Sequence, residues 1–241
     1  MNITLLAVGY AFLGGLLPSL LWLYFLLKED ARCPEPRHLI LLTFIAGMIA
    51  VPLVLPLEQM ISVAQVGGMP LSQLSILIGW ATIEETFKYG AAAIFVLWRS
   101  AVDESPDYVI YMLTVALGFA AAENMLFLLS PFSAGHLAAG IVTGNLRFIG
   151  STLLHVLASS AIGFALAFSM KLGAWMRTLA AAGGLILAIA LHTAFNALIM
   201  QSNSGTALGA FFLVWSAAVV FFAVFEVLKY FRYRDLPETT S

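Results

Sequence analysis

Seven residues in this chain can ionise at positions where the surrounding sequence is apolar. They are Glu84, Glu85, Lys88, Glu123, Arg147, His155 and His192. The densest group sits in "GWATIEETFKYGAAAIFVLW", residues 79–98, which otherwise reads as membrane-embedded helix. An ionisable group inside a bilayer costs several kcal/mol unless it is paired or hydrated, so each is a functional candidate by default. Carboxylates, imidazoles and an ammonium in one low-dielectric site can activate water and stabilise a developing negative charge.

Helical spacing arranges these residues in stripes. Glu84 and Lys88 are i,i+4 and share a face, and Glu85 meets Lys88 at i,i+3. Arg147, Ser151, His155 and Ser159 form an i,i+4 series, and His192 and Asn196 another pair. Alone, a Glu–Lys pair is equally well helix–helix glue, a lone intramembrane His packs more often than it reacts, and Asn196 can be a plain interhelical hydrogen bond. The functional reading rests on the constellation. Three carboxylates against Lys88 and Arg147 leave one surplus negative charge. A shared proton or a divalent cation would relieve it, and charge counting does not choose.

The elements that must carry these residues are membrane spans. The chain has 241 residues, 61% hydrophobic and 10% charged, with a mean hydropathy of +0.97. Soluble domains carry about 25% charged residues, so too little polar surface exists here for a water-soluble globule. The net charge of −2 gives nucleic acid no electrostatic footing. Cys33 is the single cysteine, which excludes an intrachain disulfide and a cysteine metal cluster. The N-terminal apolar run lacks a basic leader and is long enough to span, so it reads as a retained first span.

Apolar runs predict an all-α polytopic bundle in a single domain, 1–241, with seven spans near 3–27, 38–57, 73–98, 108–130, 146–170, 178–199 and 207–229. Residues 131–145 fit a plain loop, a re-entrant segment or an extended start of span five. Glu58 and Glu226 fall at span ends and read as interfacial; the Gly/Ala run "LAAAGGLILAIA" reads as a close-packing surface. Of eleven Lys and Arg, all but Lys88 and Arg147 fall on one side of this topology: Lys28, Arg32, Arg37, Arg99, Lys171, Arg177, Lys229, Arg232 and Arg234. The positive-inside rule then places the N-terminus outside and the C-terminus in the cytoplasm. At about 1.5 Å per residue, Glu84 lies roughly 16 Å, Glu123 and His192 roughly 10 Å, and His155 roughly 13 Å below the outer ends of their helices. Four helices thus bring their polar groups to one slab in the outer half of the bilayer.

These motifs resemble those of the PrsW family of intramembrane proteases. "EETFK" (84–88) looks like its E-E-x-x-K signature and "FAAAEN" (119–124) like its F-x-x-x-E-N element. His155 after Arg147, and "HTAFN" (192–196), are similar to its later His and H-x-x-x-N elements. "LKEDARCPEPRH" (27–38) is similar to its D-x-x-P-E-P segment. The resemblance implies an intramembrane endopeptidase of the bacterial cytoplasmic membrane, within the superfamily of CAAX and bacteriocin-processing proteases. It further implies cleavage of membrane-anchored proteins near the extracytoplasmic face, a single-span anti-sigma factor among the candidates. Glu84, Glu85, His155 and His192 are then the expected catalytic residues, with Lys88, Glu123, Arg147 and Asn196 supporting them. Two chemistries stay open. Glu85, His155 and His192 bind Zn²⁺ while another Glu is the base, or a Glu activates water without metal. No H-E-x-x-H helix is present. The competing classes are a proton-coupled transporter, disfavoured by an odd span count without paired halves, and an inactive binding or immunity homologue.

Overall fold

The computed structural model describes residues 4–29, 33–66, 68–200 and 204–234. The chain is a helical bundle: α1 (Leu5–Glu29), α2 (Arg37–Ser62), α3 (Gln73–Phe95), α4 (Ser105–Ser133), α5 (Leu137–Leu146), α6 (Thr152–Ser169), α7 (Ala174–Met200) and α8 (Ser204–Arg234). A π-helical turn, Arg147–Ser151, joins α5 to α6, so one helical stretch runs from Leu137 to Ser169. A two-stranded antiparallel hairpin, β1 (Gln65–Val66) and β2 (Met69–Pro70), links α2 to α3. Gly68 there takes φ +79°, which L side chains rarely adopt. Arg32, Asp30 and the tail 235–241 lie outside the described residues.

Six helical stretches are long and apolar enough to cross a membrane by length and composition; α3 is the long helix outside that group. The reason is chemical, because Glu84, Glu85 and Lys88 interrupt its apolar surface. Large apolar side chains such as Ile94, Ile186 and Phe212 point outward and are mostly exposed. A polytopic membrane protein meets lipid with such faces.

The helix bounds differ from the sequence reading in two useful places. Residues 131–145 are mostly helical rather than a plain loop. α4 runs to Ser133, Gly135 (φ +77°) turns the chain, and α5 starts at Leu137, nine residues before the expected start of span five. The second helix also runs on to Ser62 rather than ending at 57. Glu58 therefore sits on helix, not beyond it.

α4 is the axis of the bundle. Every residue from Pro106 to Ala121 is buried, and a helix apolar all round must be enclosed by others. α1, α2 and α6 pack against it most extensively. Small residues let them approach. A Cβ on Gly47 would collide with the Val115 carbonyl oxygen, and one on Gly118 with the Phe44 carbonyl oxygen, so α2 and α4 cross backbone to backbone. Gly163 of α6 meets the Val109 Cα in the same way, at 2.8 Å from a notional Cβ. Within "LAAAGGLILAIA", Gly184 is a packing residue against Ala161 and Ile162, whereas Gly183 has nothing within 4 Å.

Polar contacts tie the connections down at one end. The Tyr111 hydroxyl donates to Glu35 Oε2 at 2.5 Å, pinning the α1–α2 connection to α4. Burial pushes the Glu35 carboxyl above its ordinary range, against the lowering effect of that hydrogen bond. Lys229 of α8 pairs with Glu29 of α1 at 3.0 Å, which places these two helix ends on the same face. Glu226, expected at a span end, joins the same lysine at 2.6 Å.

The α2–α4 crossing yields a direct test. Gly118→Val should lower the melting temperature in detergent through overpacking that costs about 1–3 kcal/mol. Gly90→Ala, with nothing within 4 Å of its notional Cβ, should leave it unchanged.

Candidate active site

Four helices converge on one polar cluster. α3 supplies Glu84, Glu85 and Lys88, which are 6%, 0% and 0% exposed. α4 supplies Glu123 and Asn124, the π-turn and α6 supply Arg147, Ser151, His155 and Ser159, and α7 supplies His192 and Asn196. Every candidate from the sequence lies in or beside this cluster.

Lys88 is its centre. Its Nζ donates to Glu85 Oε1 at 2.7 Å and to Glu84 Oε2 at 3.4 Å, and it lies 2.8 Å from His155 Nδ1 and 4.3 Å from the Phe119 ring centroid. The i,i+3 contact with Glu85 is thus tighter than the i,i+4 contact with Glu84. An ammonium can only donate. His155 Nδ1 therefore accepts, and its Nε2–H donates to Glu123 Oε2 at 3.0 Å.

Glu85 is enclosed on all sides. Its Oε2 accepts from Ser159 Oγ at 2.8 Å, and its Oε1 faces His192 Nδ1 at 2.9 Å as well as Lys88. As a carboxylate it accepts from His192 Nδ1–H, which leaves His192 Nε2 with a free lone pair. That atom lies 3.8 Å from Glu84 Oε2, and His155 Nδ1 lies 3.7 Å from the same oxygen.

Beside this core is a second polar layer. Arg147 ion-pairs with Glu123 through Nη2, donates to Asn124 Oδ1 at 2.5 Å and to Ser151 Oγ at 3.1 Å, and stacks over Phe127. Asn124 completes the layer by donating to Thr152 Oγ1 at 2.9 Å. The π-turn carries Arg147 and Ser151. Such turns widen a helix by one residue and occur often at functional sites.

The cluster opens into a cavity of about 700 Å³. Glu84, Glu123, Arg147, His155, His192 and Asn196 line it, while Glu85 and Lys88 lie behind its wall. The Asn196 amide makes no hydrogen bond among the described residues. Glu84, His155 and His192 offer one ligand atom each, all within 4.8 Å of one another, as a metal site requires. Glu84 thus faces both histidines from the cavity side, whereas Glu85, expected as the ligand, contacts His192 Nδ1 from behind the cavity wall. Neighbouring helical residues point about 100° apart, and only the packing decides which one faces the cavity. The sequence reading also missed Glu58 and Trp80, which line the same cavity. The signal for Glu58 was its place four residues after Val54 on a helix that had been ended too early.

The chain matches the family described as "PrsW family intramembrane metalloprotease" over residues 35–227. It is 27% identical to Protease PrsW of Geobacillus kaustophilus (strain HTA426) over 209 residues, 86% of this chain and 88% of that one. It is 27% identical to Protease PrsW of Bacillus subtilis (strain 168) over 151 residues, 63% of this chain and 65% of that one. It is also 28% identical to Protease PrsW of Clostridioides difficile (strain 630), over 64% of this chain and 63% of that one. No solved structure matches significantly. With motifs in register, a four-helix polar cluster and a family match over most of its length, this chain belongs to the PrsW family of intramembrane proteases.

Proposed function

We propose that this protease hydrolyses a peptide bond in membrane-anchored proteins near the extracytoplasmic face, with Glu84, His155 and His192 as the reacting group. The observation that carries the reading is the convergence of their three ligand atoms on the wall of a 700 Å³ cavity. The seven-crossing path with a cytoplasmic C-terminus that the apolar runs and basic residues predict would put the cavity toward that face. The Lys229–Glu29 pair, joining the ends of the first and last helices, fits that path. A single-span anti-sigma factor remains the substrate we favour, on the family resemblance alone.

The donor set fits Zn²⁺. Two imidazoles and a carboxylate would leave one coordination position for water, and their ligand atoms lie within 4.8 Å of one another, with Glu84 Oε2 at 3.7 and 3.8 Å from the two imidazole nitrogens. Glu85 holds His192 Nδ1 as carboxylates hold metal-bound histidines, fixing the tautomer and orienting the ring. Zinc bound there would polarise the scissile carbonyl and acidify water. Lys88 opposes this arrangement, because its Nζ takes the lone pair of His155 Nδ1. Ammonium and metal compete for that atom.

The side chains themselves divide the proton work. With Glu84 not engaged as a metal ligand, its Oε2, facing the cavity 3.8 Å from His192 Nε2, accepts a proton from water as the water oxygen bonds to the carbonyl carbon. The same proton passes to the leaving amine nitrogen as the C–N bond breaks. The Asn196 amide, which lines the cavity and makes no hydrogen bond among the described residues, would donate to the oxyanion. Glu123 and Arg147 hold His155, and Glu85, Ser159 and Lys88 hold His192 and Glu84.

Two outcomes are expected. Glu84→Gln should reduce cleavage by about 10²-fold or more. New N-termini just outside single-span segments should appear in cells carrying the wild type and not in cells carrying this variant; identical N-termini in both would remove Glu84 from the mechanism. Second, purified protein should retain stoichiometric zinc by elemental analysis and lose it in His155→Ala and His192→Ala. Full cleavage by a chelated, metal-free preparation would instead leave Glu84 acting without metal.

A further inference from the structure

We propose that Glu58 is a specificity determinant of this protease, receiving a lysine or arginine side chain of the substrate within about two residues of the scissile bond. The proposal rests on the protease reading above and names the substrate feature that the cavity selects.

Glu58 lines the cavity together with Trp80 and Glu84. It is half-buried, and its carboxylate has no hydrogen bond or ion pair among the described residues. Its backbone is nonetheless held in place. Trp80 Nε1 donates to the Glu58 carbonyl oxygen at 3.1 Å and to Ser62 Oγ at 3.2 Å, clamping the last turns of α2 against α3. Trp80 precedes Glu84 by one helical turn, about 6 Å along the axis. That distance is about two residues of extended chain.

The shape of the wall matches a long cationic side chain. Leu55, 43% exposed, lies one turn before Glu58 on α2 and lines the same cavity, as do the buried Val51 and Val54. An apolar strip ending in a carboxylate suits lysine and arginine, which bury their methylene stems and keep the charged tip polar. A short polar residue would leave the strip uncovered.

Charge points the same way. Glu58, Glu84 and Glu123 line the cavity, and Arg147 is the cation among the lining residues. Arg147 is already engaged by Glu123 and Asn124, and Lys88 lies behind the wall with Glu85. An acidic substrate residue would be repelled, a neutral one would leave the half-buried Glu58 without a counter-charge, and a basic one would neutralise it. Glu58 stands outside the Glu84, His155 and His192 group, so a metal there does not satisfy it.

The test uses the full chain reconstituted in liposomes with single-span reporters. Their outer juxtamembrane segment carries Lys, Gln or Glu at each position in turn. Wild type should cleave the Lys reporter in preference to the Glu reporter by on the order of tenfold or more, at one position near the cut. Glu58→Gln should flatten that ratio and Glu58→Lys should invert it. Each ratio is internal to one variant, so partial loss of folded protein does not enter it. Cleavage by wild type without a basic preference, or a ratio unchanged in Glu58→Lys, overturns the proposal alone. Loss of cleavage on every reporter in both Glu58 variants overturns it in favour of a structural or chemical role. Failure of wild type to cleave any reporter overturns it together with the protease reading.

Discussion

A charge taken out of water must find its counter-charge before anything else in a bundle can be arranged. Lys88 states that constraint most sharply, since its ammonium is fully buried between two carboxylates of its own helix. Breaking a buried pair by removing one partner typically costs 3–5 kcal/mol, because the other charge is left uncompensated. Glu85, at 2.7 Å, is the partner whose loss would strand Lys88, while Glu84 lies farther off at 3.4 Å, and the histidines on α6 and α7 close the network from the far side. The same pairing that compensates the buried charges of α3 holds the site residues at their working distances. Stability and geometry are here one requirement.

The bundle meets that requirement through α4. A helix buried through sixteen consecutive residues offers no lipid face, so its neighbours are fixed relative to one another by what they share. Glycines at the α2 and α6 crossings bring those backbones close. Phe119, near the end of the buried run, then places a ring against both Lys88 and His155. Four residues further on, Glu123 meets His155 and Arg147. Packing along one helix thus sets the separation between two helices that carry the chemistry.

Most of this was legible in the sequence, for physical reasons that also explain the rest. Apolar run length marks a span well, and intramembrane charges are costly enough to mark a site. Glu84, Glu85, Glu123, His155 and His192 were therefore visible without coordinates. Periodicity says which residues share a face but not which face is turned inward, so Glu84 and Glu85 could not be ranked. Glu58 was hidden for a different reason. An acidic residue near the end of an apolar run looks solvated, and only the extra turn of α2 and the Trp80 clamp show that it faces the cavity. The start of α5 was invisible because Gly135 and Pro131 read as loop, whereas the chain turns tightly and resumes helix at once.

The helical stretch from Leu137 to Ser169 is 33 residues long, about 50 Å at the usual rise. A bilayer's hydrocarbon core is about 30 Å thick. This stretch must therefore tilt steeply or stand proud of the membrane, and its π-turn at Arg147–Ser151 interrupts the regular α-helix within it. Hydrophobic mismatch acts on such an element through bilayer thickness. A thinner or thicker membrane would shift the depth at which Arg147 meets Glu123, so lipid chain length becomes a variable coupled to the position of the site itself.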